Sequence, residues 1–299
     1  MKTRASDLLS TAIAPIVWGS TYIVTTELLP GFSPLTAAAL RALPAGILLL
    51  LVSRRLPSGI WWLRCLFLGA LNFSLFWSLL FVAAYRLPGG IAGTVLSAQP
   101  LIVVFLASFL LATPLRPLTV FAALAGMGGV GLLVLTPDAA LDAVGVGAGL
   151  AGATAMALGT ILTRKWQPPM SAMTSTAWQL LFGGLLLAPA ALLFDPAPPA
   201  LNAANLLGLA WLSLIGAALT YALWFKSTAR LDSAVVSSLL FLSPLTAVLL
   251  GWVFLDQTLS ALQAIGIAVI LGSIWLSQQA HARAKTPNRP MRTGTDRTL

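Results

Sequence analysis

Polar residues inside otherwise apolar segments carry the chemistry that this chain offers. The stretch Ser97–Leu101 (SAQPL) places Gln99 and Pro100 in the middle of a run that is otherwise suited to lipid. A proline leaves the carbonyl four residues before it without its helical partner, and a side-chain amide brings further donors and acceptors. At membrane depth such groups need protein, water or a ligand as partners. We therefore expect a ligand-binding site around Gln99, on a helix that is kinked at Pro100.

A reaction centre is not expected, because the residues that catalysis needs do not occur together. Cys65 and His281 are the only residues of their types, which excludes a disulfide framework and a Cys/His metal site. No two acidic residues share an apolar segment, so a positioned acid–base pair is also missing. We expect no enzyme activity, no cofactor and no metal, and an intramembrane group transferase is a remote alternative.

The composition is that of a membrane protein. Hydrophobic residues make up 58% of the 299 residues, charged residues make up 8%, and the mean hydropathy is +0.92. A helix rises about 1.5 Å per residue, so about 20 apolar residues cross the hydrocarbon layer. The sequence predicts an all-α integral membrane protein with ten transmembrane helices, at 8–28, 33–53, 62–85, 89–112, 117–135, 145–164, 171–193, 203–228, 234–255 and 259–279.

The positions of the basic residues predict the orientation of these helices. With both termini in the cytoplasm, the 17 Lys and Arg residues all fall on cytoplasmic segments, except Arg41 inside the second span and Arg86 outside. Basic residues mark the cytoplasmic loops of membrane proteins. The pattern accounts for the net charge of +9 without nucleic acid as a partner, and it implies contact with the lipid bilayer.

The chain repeats itself with its orientation reversed. An offset of 144 residues aligns Arg86 with Arg230 and Pro100 with Pro244 without a gap. Each half then holds five helices, and an odd number turns the second copy upside down. Inverted repeats are typical of transporters that bind substrate between the two halves, although a duplication can also be merely structural. The predicted parts are a first repeat at 1–139, an inverted second repeat at 140–280, and a disordered basic cytoplasmic tail at 281–299.

Several motifs of the chain resemble those of one transporter family. They are VWGSTY in the first helix, an Arg within the second (LRALPAG), a proline in the middle of the fourth and ninth, and the closing pattern SPLTAVLLGWVFLDQTLSALQAIGIAVILGS. In this order they resemble the drug/metabolite transporter superfamily, specifically its EamA-type ten-helix members. The chain departs from the family pattern at Asp256, where a Glu is usual, and the repeat partner of Asp256 is Ala112.

The resemblance implies a function and a location. It implies a 5+5 inverted repeat around a central cavity, in the bacterial inner membrane, and the export of metabolites such as amino acids. The sequence is similar to members that are rich in cavity aromatics and resemble exporters of aromatic and other neutral amino acids. The alternatives are an exporter of drugs or organic cations and a nucleotide-sugar or phosphate-ester carrier, which calls for more than one basic residue in the cavity. A monomer or a weak homodimer is expected.

Polar and aromatic residues in the middle of the spans are the candidates for the binding site, because polar groups in hydrocarbon need partners. Trp18 and Tyr22 lie one helical turn apart on one face, although each aromatic side chain could instead face lipid or the protein core. The substrate-binding candidates are Trp18, Tyr22, Asn72, Phe76, Trp77, Ser97, Gln99, Trp178, Gln179, Tyr221, Trp224 and Ser243. The helix-kink candidates are Pro15, Pro100 and Pro244.

Two charged residues are candidates for gating or coupling. Arg41 lies well inside the second helix, where a cation needs a partner or water. It either holds helix ends together or binds a substrate carboxylate with its two-pronged guanidinium group, and the structural or gating role is favoured. Glu27, at the outer end of the first helix, is the one acidic residue near the interior of a span. We therefore expect passive, gradient-driven transport, or coupling through Glu27 at most.

Overall fold

The structure is a computed structural model, and it describes residues 2–86, 95–134, 142–228, 230–255 and 260–285. Within these ranges the chain forms helices and short connections, with no strand. The helices of the first half are α1 (Lys2–Gly19 and Thr21–Leu28), α2 (Pro34–Ser53), α3 (Trp61–Gly69, Ala70–Leu75 and Phe76–Arg86), α4 (Gln99–Leu111) and α5 (Pro117–Val134). Those of the second half are α6 (Ala143–Trp166), α7 (Ala172–Phe194), α8 (Ala203–Ala210, Trp211–Leu219 and Thr220–Thr228), α9 (Ser233–Ser238, Leu239–Phe241 and Leu242–Phe254) and α10 (Ala261–Lys285).

Seven of the described helices, namely α2, α3 and α6 to α10, are long and apolar enough to cross a membrane. The sequence predicts ten such helices, and the other three are interrupted or shorter in the part of the chain that the structure describes. Helix α1 is divided at Ser20, and α4 begins at Gln99 after a turn at Ser97. Helix α10 continues to Lys285, so the start of the predicted disordered tail at 281 is helical; residues 286–299 lie outside the described ranges.

Interruptions of the helices lie close to two of the three prolines that are candidates for kinks. Pro100 and Pro244 stand in the first turn of a helical segment, directly after a turn in α4 and a 3₁₀ turn in α9. A proline in the first turn removes no intrahelical hydrogen bond. The interruption of each helix therefore lies ahead of the proline and not at the proline itself. Pro15 lies inside the unbroken segment Lys2–Gly19. The division of α1 lies further along the chain, at Ser20, and a kink at Pro15 stays a prediction.

Helices α3 and α8 each contain a π-helical segment that the sequence does not predict. The segments are Ala70–Leu75 in α3 and Trp211–Leu219 in α8. The N–H of Thr220 donates to the carbonyls of Ala217 and Ile215, and not to that of Gly216. A π-helical turn shifts the backbone pairing by one residue, and it thereby leaves the Gly216 carbonyl open to side-chain donors.

The helices pair across the two halves of the chain. Helix α2 packs along α7 and α5 along α10, while α3 and α4 pack on α6, and α8 and α9 pack on α1. Small residues allow the backbones to approach closely. A methyl group on Gly46 of α2 would lie 2.6 Å from the backbone nitrogen of Leu181 in α7. The outer surface carries widely exposed apolar side chains such as Phe109 and Leu192, which suits lipid contact.

Ion pairs mark the two ends of the bundle. At the end where α3 finishes and α6 begins, Arg86 Nη1 lies 3.1 Å from Asp142 Oδ2. At the other end, where α8 finishes and α1 begins, Arg230 Nη1 lies 3.4 Å from Asp7 Oδ1. We refer to these as the Arg86 end and the Arg230 end. Both pairs are largely exposed, and such pairs contribute about 0–1 kcal/mol each to stability.

Candidate functional site

A cavity of about 330 Å³ lies between helices of both halves. It reaches from the middle of the bundle along the halves of α1, α2 and α3 that face the Arg86 end. Many of its lining residues are candidates from the sequence: Trp18, Arg41, Phe76, Trp77, Ser97, Gln99, Pro100, Tyr221, Ser243 and Pro244. The structure thus brings residues from six helices, α1 to α4, α8 and α9, to one space.

Other lining residues were not candidates from the sequence. They are Thr21, Thr25, Thr26, Ala37, Ala38, Leu80, Phe81, Leu96, Met156, Leu212, Leu240 and Phe241. Thr21 and Thr25 follow Trp18 by three and seven residues, which places them on the same helical face. That spacing could have identified them. The small and aliphatic residues carry no signal that separates a cavity wall from a packed core.

Aromatic rings from three helices form one side of the cavity. The ring centroids of Trp18 and Tyr221 are 4.7 Å apart, and those of Trp77 and Tyr221 are 6.3 Å apart. Phe73 supports both Trp77 and Tyr221 from behind, with centroids at 5.3 and 4.8 Å. Tilted and edge-to-face contacts at these distances are favourable and fix the rings in place. The cavity therefore presents a preformed aromatic surface.

The Gly216 carbonyl, in the π-helical segment of α8, holds three side chains at this surface. It accepts hydrogen bonds from Arg41 Nη2 at 2.7 Å, from Trp18 Nε1 at 3.1 Å and from Thr220 Oγ1 at 2.9 Å. Trp18 Nε1 also donates to Thr220 Oγ1 at 2.9 Å. The π-helical segment supplies the acceptor that α-helical pairing would have occupied. One carbonyl thus orients both a cation and an indole toward the cavity.

Arg41 is buried, with 9% of its surface exposed, and its guanidinium carbon lies 4.8 Å from the centroid of the Trp77 ring. This distance is that of a cation–π contact. Its Nε atom is buried and has no hydrogen-bond partner. Of the described residues that line the cavity, Arg41 is the one cation, and none is acidic.

The cavity is closed toward the Arg230 end. A much smaller space of about 10 Å³ lies there, and it shares Gln99 and Leu240 with the main cavity. Trp224, with 1% of its surface exposed, lines this smaller space, as does Arg164, whose Nη1 donates to the carbonyl of Leu231. Gln99 and Leu240 therefore form part of the wall between the two spaces, and among the described residues the large cavity extends toward the Arg86 end alone.

Besides Trp224, three candidates from the sequence lie apart from the main cavity. Asn72 Nδ2 donates to Gln179 Oε1 at 2.8 Å, so these amides bond to each other in the interior between α3 and α7. Trp178 Nε1 donates to the carbonyl of Arg55 at 3.0 Å, near the Arg230 end. Sequence cannot separate a polar residue that binds a ligand from one that bonds to a second polar residue.

The remaining candidates fall outside the cavity or outside the described atoms. Glu27 is exposed near the end of α1 and does not line the cavity, whereas its neighbours Thr25 and Thr26 do. The side chain of Tyr22 and residue Asp256 lie outside what the structure describes. Among the described residues, no group of three His, Cys, Asp or Glu side chains could hold a metal ion.

Comparison with known proteins gives a consistent assignment. The model of the EamA-like transporter family matches residues 6–135 and 143–278. The chain is 44% identical over 267 residues to protein PecM of Dickeya dadantii, a match covering 89% of this chain and 90% of PecM. It is 32% identical to a chloroplastic WAT1-related protein of Arabidopsis thaliana, covering 87% of this chain and 66% of that protein.

Two further matches extend the comparison. The uncharacterized inner membrane transporter YedA of Escherichia coli K12 is 27% identical over 267 residues, covering 87% of each protein. A crystal structure superposes with a TM-score of 0.81 at 22% identity, over 94% of this chain and 99% of that one. At that identity the superposition shows the shared fold alone. Since the family model matches most of the chain, the protein belongs to the EamA-like transporter family and is a multi-pass membrane transporter.

Proposed function

We propose that this transporter exports small metabolites, foremost aromatic and other neutral amino acids, across the bacterial inner membrane by alternating access. The observation that carries the proposal is the cavity of about 330 Å³ with Trp18, Phe76, Trp77 and Tyr221 on its wall. Ligand pockets are concave, mostly apolar and equipped with a few polar groups, and they measure about 300–1,000 Å³. A space at the lower end of this range suits a single small aromatic molecule.

A 5+5 inverted repeat with both termini in the cytoplasm is part of the proposal. The family model matches two consecutive segments, 6–135 and 143–278. The π-helical segments of α3 and α8 fall at corresponding places, and so do the turns ahead of Pro100 and Pro244. Replacing each helix by the one five places away also turns the packed helix pairs named above into one another. These relationships support two copies of one unit, and the basic residues support the orientation.

Alternating access is supported by the one-sided cavity. The cavity is closed near the Arg230 end by residues of α4, α6, α8 and α9. Helices α4 and α9 are both interrupted where they border it, and interrupted helices at mid-membrane are typical of transporter binding sites. Under the proposed orientation this is an outward-facing state. Closure at the Arg86 end and opening at the Arg230 end would complete the cycle.

The charges of the cavity favour this substrate class over its rivals. Arg41 on the wall repels organic cations, and a phosphate ester calls for more than the one cation that the described lining residues provide. The same described residues include no carboxylate that could carry a proton through the cavity. This supports passive transport along the substrate gradient. Glu27 is exposed outside the cavity, which argues against a role in coupling.

Counterflow in proteoliposomes tests the proposal. Vesicles preloaded with unlabelled L-phenylalanine should accumulate labelled L-phenylalanine when they contain the protein. Preloaded vesicles without the protein should not. Tetraphenylphosphonium and a nucleotide sugar should neither exchange nor compete. Accumulation of tetraphenylphosphonium but not of L-phenylalanine would contradict the amino-acid proposal. Equal accumulation of L-phenylalanine in vesicles with and without the protein would show that the protein does not transport it.

A further inference from the structure

We infer that Arg41 is a carboxylate-binding residue, and that this transporter selects monocarboxylates with an aromatic body whether or not they carry an ammonium group. The inference rests on the proposed function and names the chemical group that the cavity recognises. It assigns to Arg41 direct substrate contact, where the sequence alone favours a structural or gating role.

The first support is an uncompensated charge. Arg41 takes part in neither of the two ion pairs between described residues, which are Arg86–Asp142 and Arg230–Asp7. Its contacts are the Gly216 carbonyl and the face of Trp77, and both are electrically neutral. A buried cation inside a membrane span is costly unless it is paired or wetted. The missing negative charge is therefore expected to come from outside the protein.

The second support is the presentation of the guanidinium group. The bond from Nη2 to the Gly216 carbonyl and the contact with Trp77 hold the group on the cavity wall. The Nε donor remains without a partner although it is buried. Buried donors in proteins are rarely left unpaired, and the adjacent N–H groups of a guanidinium match the two oxygens of a carboxylate. A carboxylate in the cavity would supply the missing negative charge, and it would pair with Nε only after Arg41 turns, because Nε itself is buried.

The third support is what surrounds Arg41. Trp18, Phe76 and Tyr221 line the same cavity, so an aromatic body can pack beside a carboxylate that is bound to Arg41. The described lining residues offer no acidic partner for an ammonium group. Recognition therefore depends on the carboxylate, and the amine of an amino acid adds little. This distinguishes the inference from general recognition of amino acids.

Three ligands that differ in one group separate these possibilities. L-Phenylalanine carries both charged groups, 3-phenylpropionate lacks the ammonium group, and 2-phenylethylamine lacks the carboxylate. Their affinities are measured by calorimetry with the full chain in lipid nanodiscs, and L-phenylalanine flux is measured separately in proteoliposomes. For the wild-type protein we expect the first two affinities to agree within about threefold and the amine to bind at least about tenfold more weakly, because a hydrogen bond to a charged group is then lost.

Variants of Arg41 test its direct role. Arg41→Gln should weaken binding of both carboxylates by about tenfold or more and leave the amine unchanged or better bound. Arg41→Lys keeps the positive charge but loses the paired N–H groups of the guanidinium. Its carboxylate affinities should lie between those of the wild-type protein and those of Arg41→Gln. Arg64→Gln is the matched control, because Arg64 also stacks on aromatic rings, Trp61 and Trp166, but does not line the cavity. It should leave all three affinities unchanged.

Each outcome bears on a defined claim. Tight binding of the amine to the wild-type protein would overturn the inference, and this measurement needs no variant. Equal loss of all three ligands in a folded Arg41→Gln protein would assign a structural role and would also overturn it. A wild-type protein that transports L-phenylalanine while Arg41→Gln binds it normally refutes the inference alone. A wild-type protein that neither binds nor transports any of the three compounds refutes the proposed function.

Discussion

A hydrogen bond joins the buried amide side chains of Asn72 and Gln179 across the interface between α3 and α7. The amide Nδ2 of Asn72 donates to Oε1 of Gln179 at 2.8 Å, and Nε2 of Gln179 donates to Ser175 Oγ at 2.9 Å. Both amide side chains are fully buried. Polar residues at membrane depth therefore include side chains that face the cavity and side chains that join two helices.

Truncation of either amide should lower stability and spare substrate affinity. In Asn72→Ala the carbonyl of Gln179 loses its donor, which costs about 1–2 kcal/mol because a buried polar group is left unpaired. Unfolding of the purified protein, followed by its melting temperature, measures the loss. The apparent affinity for substrate should not change, because Asn72 does not line the cavity.

The double variant is the control for this pair. If the two amides interact directly, Asn72→Ala and Gln179→Ala together should destabilise the protein by less than the sum of the two single changes. If the stability losses of the two single variants add up exactly in the double variant, the hydrogen bond contributes nothing to stability. A large fall in substrate affinity in either variant would show that these residues belong to the binding site.

Two tryptophans with bonded indoles should respond differently to the same change. Trp18→Phe removes the donor to the Gly216 carbonyl and to Thr220 Oγ1, on the cavity wall. We expect substrate affinity to fall about threefold to tenfold, because the cavity wall loses indole surface and the intraprotein hydrogen bonds that hold the ring in place. Trp178→Phe removes a donor to the Arg55 carbonyl, away from the cavity. Trp178→Phe should lower the melting temperature and leave substrate affinity unchanged. A fall in affinity in Trp178→Phe but not in Trp18→Phe would contradict the assignment of the binding site. Calorimetry and melting curves measure both.

The contact of α1 with α9 has no room for a larger residue at Gly19. A methyl group there would lie 2.5 Å from the Ser243 carbonyl oxygen and 2.6 Å from Thr246 Cβ. Gly19→Ala should therefore separate the helices that carry Trp18 and Ser243 and reduce transport strongly. Gly128→Ala is the control, since nothing lies within 4 Å of a methyl group at that position. It should keep transport and gain about 0.5–1 kcal/mol of stability. Counterflow rates and melting temperatures measure both, and an active Gly19→Ala protein would contradict this packing.

Asp142 should make stability depend on pH in the acid range. The N–H of Val144 donates to its carboxylate, Arg86 lies beside it, and both lower the pKa of Asp142. Because the folded pKa lies below the unfolded value of about 3.9, the stabilisation is present above that value and is lost as the pH falls through the folded pKa. Asp142→Asn should flatten this part of the melting-temperature profile. Identical profiles for both proteins would show that the ionisation of Asp142 is not coupled to stability.

Sequence reasoning identifies the features that depend on composition and local pattern. The apolar runs predict most helix positions to within a few residues, since a span needs a fixed apolar length. Trp18, Gln99 and Tyr221 are selected because they are polar or aromatic in the middle of a span, and they line the cavity. The motifs VWGSTY and LRALPAG lead to the family that the comparisons show.

Other features depend on tertiary contacts and leave no local signal. The π-helical segment at Trp211–Leu219 decides that the Gly216 carbonyl is the partner of Arg41, and no residue type marks it. Gln179 resembles Gln99 in the sequence, but only the fold places it opposite Asn72. Ala37 and Ala38 line the cavity without any chemical feature of their own.

The substrate is expected to enter the aromatic cavity from the Arg86 end, and chemical labelling of one cavity residue tests this entry. Thr25 lines the cavity, and the single native cysteine, Cys65, is fully buried. A membrane-impermeant maleimide added outside intact cells should label Thr25→Cys and not the wild-type protein. Saturating L-phenylalanine should slow that labelling several-fold and leave an exposed control, Ala197→Cys, unaffected. If Thr25→Cys is labelled at the same rate with and without a substrate that is demonstrably transported, the substrate does not occupy this cavity from the Arg86 end.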